Sequence, residues 1–473
     1  MSKMSIADPN STWSRAAHGE PREGVAPLKS RASWGSLARL AKAVSLVSIL
    51  YAVNILLGLG RDSILAATFG ATERLDALLL GMNFIRGAGL QIALAVSSVL
   101  VPVYARAIAA GDSVRVIDLT RRWMRDSLLA LVPLSLALIW FAGSLAKLLG
   151  PGLGESGQAT LAYTLRGMAP LLLLIGCAGL SKALSDSYGM YGLHPVFLGL
   201  MTLGLIAGVW LAGPQSGISG GIFGILTGGV LGLAAQAIMI GLRLPVGKIR
   251  GLLPSLRKFI FAPRDEHLSY VNVLLLLGSS LLIQLQGLIE RAYASHLPSG
   301  SIVALSLALS IVGIPTALLL PAISSILLPR LSRQEHMAGG RKYGLSAQHY
   351  SILIILFSAI TAGCWLMSDL IVNALFLRGR FTVEAASLTS ATMRWLSISF
   401  ISYVLGSVFR QVLIARRMIA YDFAVSAAAL CVEVAALEIL VPLYGLKGLV
   451  TEVVITTSVT AILYLGVIKY VRK

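Results

Sequence analysis

The chain has 473 residues, of which 56% are apolar and only 13% charged. A soluble domain carries about 25% charged residues, so the composition excludes an ordinary water-soluble fold. The 39 Lys and Arg against 21 Asp and Glu leave a net charge of +18. With a mean hydropathy of +0.82, that charge reads against a membrane surface and not against nucleic acid. Cys177, Cys364 and Cys431 sit singly in apolar runs, without C-x-x-C spacing. That pattern gives neither a disulfide framework nor a zinc site.

In chain order, residues 1–36 come first. They are polar, carry Pro9, Pro21 and Pro27, and hold no apolar stretch before a small-residue cleavage site. The expectation is a disordered cytoplasmic tail, with Lys29, Arg31, Arg39 and Lys42 setting the orientation of the first span. A helix crossing the hydrocarbon needs about 20 mostly apolar residues. Such runs fall near 37–58, 76–103, 126–149, 161–185, 194–213 and 217–242, and again near 269–291, 302–329, 349–377, 388–414, 420–442 and 446–469. Between the two sets, residues 243–268 carry Arg243, Lys248, Arg250, Arg257, Lys258 and Arg264 with three prolines. They read as a basic cytoplasmic linker.

The expected fold is therefore all-α and integral to the membrane, with about twelve transmembrane helices. Lys and Arg concentrate in the two tails and the even-numbered loops, which places both termini in the cytoplasm. The halves also resemble each other. Ala95-Val-Ser-Ser-Val-Leu-Val-Pro102 with Arg106 matches Ala322-Ile-Ser-Ser-Ile-Leu-Leu-Pro329 with Arg333, and a one-residue shift sets Lys182 on Arg410. Six spans per copy make the repeats parallel. Two six-helix lobes, 37–242 and 269–470, then face one another around a central cavity.

No phosphate-binding G-x-x-x-x-G-K-[ST] loop and no H-E-x-x-H is present, and the G-x-S-x-G spacing at Gly217-Ile-Ser-Gly-Gly221 lies in an apolar run and not at a nucleophile elbow. Enzymatic chemistry is not expected, and neither is a metal site or a resident cofactor. Charges inside spans carry the information instead, because each costs about 2.5–3.5 kcal/mol on insertion scales unless paired or wet. Arg86 lies midway along the second run among Gly81, Gly87 and Gly89. It reads as a cationic contact for an anionic cargo, against a snorkelling or Asp-paired arginine. Arg61 and Asp62 end the first run, Asp76 opens the second, and Glu290 and Arg291 end the seventh. For these, ion pairing near the interfaces and cargo contact are both open. Arg394 lies early in the tenth run and is read the same way. Glu433, Glu438 and Glu452 in the last two runs are candidates for Na⁺ or H⁺ coupling, against pairing with Arg394 or backbone donors. Pro170, Pro315 and Pro321 are candidate kinks.

Gly58-Leu-Gly-Arg-Asp62, Phe69-Gly70, Asp76-Ala77 and Val101-Pro102 resemble the start of the MurJ (MviN) lipid II flippase family. That family is part of the multidrug/oligosaccharidyl-lipid/polysaccharide exporter superfamily. Ala294-Ser-His-Leu-Pro-Ser-Gly-Ser301, Pro315, Leu327-Leu-Pro-Arg-Leu-Ser332 and Leu375-Phe-Leu-Arg-Gly-Arg-Phe381 extend the likeness over about residues 40–470. The resemblance implies transfer of an undecaprenyl-diphosphate-linked saccharide from the inner to the outer leaflet of a bacterial cytoplasmic membrane, by alternating access. It also implies cavity arginines that hold the diphosphate, and Arg61, Asp62 and Asp76 match the family's pattern. The candidate headgroup contacts in this chain are Arg86, then Arg61 and Arg291, with Arg394, and Asp62, Asp76 and Glu290 are the supporting acidic residues. The sequence departs from the family at three places. Asn54-Ile55 stands where the family has Ser-Arg, Ala88-Gly89 where it has an arginine pair, and Ser310 where it has an arginine.

The cargo set by this resemblance is lipid II or another lipid-linked unit, such as an exopolysaccharide or O-antigen precursor. Coupling falls to Na⁺, H⁺ or the membrane potential. The expected partners are the cargo, the bilayer and envelope-synthesis enzymes, with no nucleic acid. Two rivals stand beside this reading: a multidrug/cation antiporter of the same superfamily, and a non-transporting scaffold for envelope synthesis.

Overall fold

The computed structural model describes residues 34–243, 270–337, 347–416 and 418–470. Most of the expected tail and linker, 1–33 and 244–268, lies outside the described residues. Met1–Ser45 and Leu46–Lys473 are separate units; the cavities and contacts of the bundle lie within the second.

Every expected apolar run falls on a helix, and no strand occurs among the described residues. The first half holds α1 (Trp34–Phe69), α2 (Glu73–Ala109), α3 (Ser113–Leu149), α4 (Glu155–Met168), α5 (Leu171–Ser187) and α6 (Leu193–Arg243). The second holds α7 (Tyr270–Ala294), α8 (Ser301–Met337), α9 (Ala347–Phe376), α10 (Val383–Ser397), α11 (Ser399–Ala415), α12 (Ile419–Tyr444) and α13 (Leu446–Tyr470). Among the described residues, nine helical segments are long and apolar enough to cross a bilayer, or eleven if each bent pair is one span. The seventh expected run forms the 25-residue α7.

Local chemistry sets the breaks. The Asp112 side chain accepts the Arg115 N–H at 2.9 Å and starts α3, and Thr382 accepts the Ala385 N–H at the start of α10. Both are N-caps that satisfy donors a helix leaves open. Pro170 stands at a 42° bend between α4 and α5, as expected of a ring that removes a backbone donor. Pro315 does not break α8, which runs unbroken. The equivalent fourth span of the second half bends by 46° between α10 and α11 without a proline. The second helices of the two halves are each 37 residues long, so the internal repeat extends to helix pattern as well as sequence.

Helix α6 is two spans joined at Gly213, whose φ of 66° and ψ of −174° break the helix. Its arms pack back to back through glycine. A Cβ on Gly224 would lie 2.1 Å from the Gly204 carbonyl oxygen, and one on Gly208 would lie 2.0 Å from that of Gly220. Such small-residue faces let helices approach where lipid supplies no hydrophobic drive. Leu65, Leu78, Ile85 and Phe197 of the first half and Ile302, Phe376 and Phe400 of the second share one buried cluster. Outward-facing Trp140, Trp210, Leu211, Phe223, Leu366 and Ile462 are exposed, as a lipid-facing surface requires.

One end of the bundle is clasped across the two halves. Asp76 on α2 accepts the Gly300 N–H at 2.6 Å and the Val303 N–H at 2.7 Å. It thus caps α8 in trans, where a helix N-terminus favours negative charge. Ser63 donates to the Leu375 carbonyl at 2.7 Å, and the Arg380 N–H donates to the Ala67 carbonyl at 2.9 Å. The Gly152 N–H donates to the Ser295 hydroxyl at 3.0 Å. Gly379 has a φ of 61°, and a Cβ there would sit 2.4 Å from the Ala67 oxygen. Only glycine fits that crossing.

Candidate substrate cavity

A cavity of about 170 Å³ lies between α1, α2, α7 and α8, bounded by Arg61, Asp62, Leu79, Met82, Asn83, Arg291, Ser306, Leu309 and Ser310. Both halves contribute to its wall. The sequence reading sets Arg61 and Asp62 at the end of the first span; they lie well inside α1, because the apolar run continues to Phe69. The crossing segment is accordingly Val47–Phe69, displaced from the expected 37–58.

Asp62 is nearly buried and fully engaged. Arg61 donates to its Oδ1 from Nε at 2.8 Å and Nη2 at 2.6 Å, while Ser310 donates to its Oδ2 at 2.6 Å. Ser310, where the family carries an arginine, therefore ties α8 to α1 in this chain. Asn54, at the second departure, donates to the Leu50 and Pro195 carbonyls, each at 2.9 Å. Gly89, at the third, packs on Ile175, 2.9 Å from where its Cβ would be. At or beside these departures Ser310 and Asn54 make interhelical ties and Gly89 makes a close packing contact.

Arg86 stands on α2 one turn beyond Met82 and Asn83, close enough to Arg61 and Asp62 to act on their charge. Its buried Nε has no hydrogen-bond partner among the described residues. Beside it, a Cβ on Gly87 would fall 1.9 Å from the Gln284 amide nitrogen, so α2 and α7 touch there. Arg291 on α7 reaches back to the Gly287 carbonyl through Nη1, and its buried Nε is also without a partner. Two half-buried arginines, each with a buried Nε that has no partner among the described residues, thus stand beside one cavity, and guanidinium donors suit an anion with several acceptor oxygens.

Arg291 and Leu309 also border a larger cavity of about 460 Å³ inside the second half, among α7, α8, α11, α12 and α13. Its wall includes Gln286, Glu290, Ser402, Tyr403, Arg410, Glu433, Thr456 and Tyr464. Glu433 is 1% exposed and Glu452 0%. Glu452 accepts the Thr456 hydroxyl at 2.6 Å, but neither oxygen of Glu433 has a hydrogen-bond partner among the described residues. Opposite them, Arg410 is held by buried Asp422 at 2.9 and 3.3 Å, and Tyr464 donates to the same carboxylate at 2.8 Å.

The other sequence candidates part company with these. Arg394 donates to Ser368 at 2.5 Å and pairs with Asp369 on α9; it lines neither cavity and meets neither Glu433 nor Glu438. Glu438 is exposed, more than one turn along α12 from Glu433 and on another face. Asp76 belongs to the clasp. Asp422 and Tyr464 escaped sequence reasoning: Lys182, which the repeat sets on Arg410, pairs with Asp186 one turn away, whereas Arg410 takes its partner Asp422 from the next helix, twelve residues on.

A repeated helical bundle with an arginine-lined cavity between its halves and one clasped end is the architecture of a polytopic membrane protein. The family model described as lipid II flippase MurJ matches residues 65–473. A probable lipid II flippase MurJ of Bdellovibrio bacteriovorus is 28% identical over 295 residues, 62% of this chain and 54% of that protein. The chain thus aligns with about half the length of that relative. The lipid II flippase MurJ of Burkholderia cenocepacia is 24% identical over 436 residues, 87% of this chain and 80% of its own. Among solved structures, a lipid II flippase MurJ in an inward closed conformation superposes with a TM-score of 0.72 at 18% identity, covering 90% of this chain and 87% of that one. An inward-facing multidrug resistance MATE family transporter of the MOP superfamily gives 0.70 at 17% identity, covering 88% and 96%. The chain belongs to the lipid II flippase MurJ family.

Proposed function

We propose that this chain carries lipid II, an undecaprenyl-diphosphate-linked saccharide, from the inner to the outer leaflet of a bacterial cytoplasmic membrane. The carrying observation is the set of Arg61, Arg86 and Arg291 around a cavity that both halves wall. A diphosphate presents oxygen pairs that planar guanidinium forks match. With Ser310 in place of the family's arginine, these three residues carry the positive charge of the site.

The clasp closes the end that bears the α1–α2, α3–α4, α7–α8 and α9–α10 turns. By the distribution of Lys and Arg, this is the outer end and both termini are cytoplasmic. The cargo headgroup then enters from the inner leaflet while its polyprenyl tail stays in lipid. Export needs the Asp76, Ser63 and Arg380 contacts to separate as the lobe 37–242 rocks against the lobe 269–470. Moving negative charge outward runs down an inside-negative potential, worth about 2.3 kcal/mol per charge per 100 mV. The membrane potential is thus a sufficient drive for an anionic headgroup. Nothing in this cycle makes or breaks a covalent bond, so the protein acts as a carrier.

The test is depletion of the gene, followed by mass spectrometry of membrane lipids. Accumulation of lipid II with lysis is the expected result. Accumulation of a different lipid-linked oligosaccharide in cells of normal shape overturns the cargo, and no accumulation at all overturns the flippase reading.

A further inference from the structure

The two cavities have opposite electrostatic character and share a wall. The smaller one is ringed by Arg61, Arg291 and neighbouring Arg86, with Asp62 alone against them. In the larger one, Arg410 is already matched by Asp422, which leaves Glu290 and Glu433 facing the space against Arg291. Glu433 is buried to 1% exposure, borders the cavity, and has no hydrogen-bond partner on either oxygen among the described residues. The Gln286 amide is near it but outside bonding geometry, and Glu290 and Glu452 act on its charge. A carboxylate so placed is strongly destabilised until a proton or a cation neutralises it.

The neutralising group has constraints. The space of about 460 Å³ is far larger than a dehydrated ion needs, and hydroxyls of Ser402, Tyr403, Thr456 and Thr460 line it. That wall suits a polar organic chain ending in a cation.

Resting on the flippase reading, we propose that the larger cavity is a subsite for a primary ammonium carried on the cargo's polar head. Glu433 is its carboxylate contact, with Glu290 beside it. The cargo then lies across Arg291 as a dipolar molecule, with its diphosphate among the arginines and its ammonium at Glu433. The site selects lipid-linked saccharides that bear a free amine over those that do not.

The experiment compares two probes on the purified full-length protein in nanodiscs: lipid II with a free amine on its stem peptide, and the same molecule N-acetylated at that amine. The wild type is expected to bind the free-amine form about tenfold more tightly, the scale of one charge-assisted contact. Glu433→Gln is expected to bring the ratio to about one. Equal binding of the two probes by the wild type overturns the ammonium subsite and leaves the flippase reading standing. A ratio that survives Glu433→Gln does the same, as does a ratio that vanishes on replacing Na⁺ with choline at constant ionic strength. Binding of neither probe overturns both readings. If Glu433→Gln does not fold, Glu290→Gln is read in the same way.

Discussion

The Ser310 hydroxyl donates to Asp62 Oδ2 at 2.6 Å while Arg61 occupies Oδ1 of the same carboxylate. A residue of α8 is thereby tied to one of α1, across the two halves and at the edge of the smaller cavity. Restoring the family's residue with Ser310→Arg would place a cation against Asp62 and Arg61 together. The expected outcome is tighter binding of a diphosphate-bearing lipid, by about threefold to tenfold, measured as a dissociation constant in nanodiscs.

Arg86 sits beside the smaller cavity, and its buried Nε has no hydrogen-bond partner among the described residues. Arg86→Ala is expected to abolish export while the protein still reaches the membrane. Arg86→Lys should restore only part, because an ammonium cannot fork onto two oxygens. Complementation of a depleted strain, with immunoblots of the membrane fraction, separates these outcomes. Normal export by Arg86→Ala at normal expression would remove this residue from the mechanism.

Asp76 holds two backbone donors at the N-terminus of α8. In Asp76→Asn the charge is lost, and one amide NH₂ faces an N–H. A loss of about 1–3 kcal/mol follows from leaving a buried donor unmatched. The clasp should then open more readily, which labelling of Ser63→Cys by a membrane-impermeant thiol reagent reports. The background must lack Cys177, Cys364 and Cys431.

Two arginines of the second half should differ in weight. Arg410→Ala strands Asp422, which is wholly buried, and a broken buried pair costs about 3–5 kcal/mol. Tyr464 keeps one bond to that carboxylate, so the lower end of this range is expected. Arg394 pairs with an Asp369 side chain that is 60% exposed, and solvent-screened pairs contribute about 1 kcal/mol or less. Thermal unfolding midpoints of the two variants in detergent give the order directly.

In α6, Gly224→Val would push a side chain into the Gly204 carbonyl, where a Cβ alone comes within 2.1 Å. Overpacking of this kind costs about 1–3 kcal/mol and should splay the two arms. A lower unfolding midpoint, with export reduced in proportion to the folded fraction, is the expected result.

The spans were readable because hydrophobic length is a one-dimensional property, and every apolar run became a helix. The end of the first span was not, because Arg61 and Asp62 look like an interface when each charge is counted alone. Paired with each other and with Ser310, they are tolerated inside α1. Likewise Arg394 stood open between cargo contact and ion pairing, and only the fold shows that Asp369 claims it. The second bend, between α10 and α11, carries no proline and so no local signal. The trans cap by Asp76 was hidden for a related reason: its partners are backbone N–H groups at the start of α8, far away in the chain, and sequence does not advertise them.

The clasp is built largely from main-chain atoms. The Arg380 N–H, the Ala67 and Leu375 carbonyls and the two N–H groups on Asp76 persist whatever side chain is attached to them. An alanine scan through Leu375–Phe381 would therefore pass over Arg380 and Leu375 without disturbing the bonds they make. It would register at the buried Phe376 and Phe381 through lost packing, and at Gly379 for the opposite reason: there adding an atom, and not removing one, breaks the closure. The bonds made by Ala67, Leu375 and Arg380 thus depend on backbone shape and not on residue identity, whereas those made by Asp76 and Ser63 depend on the side chain.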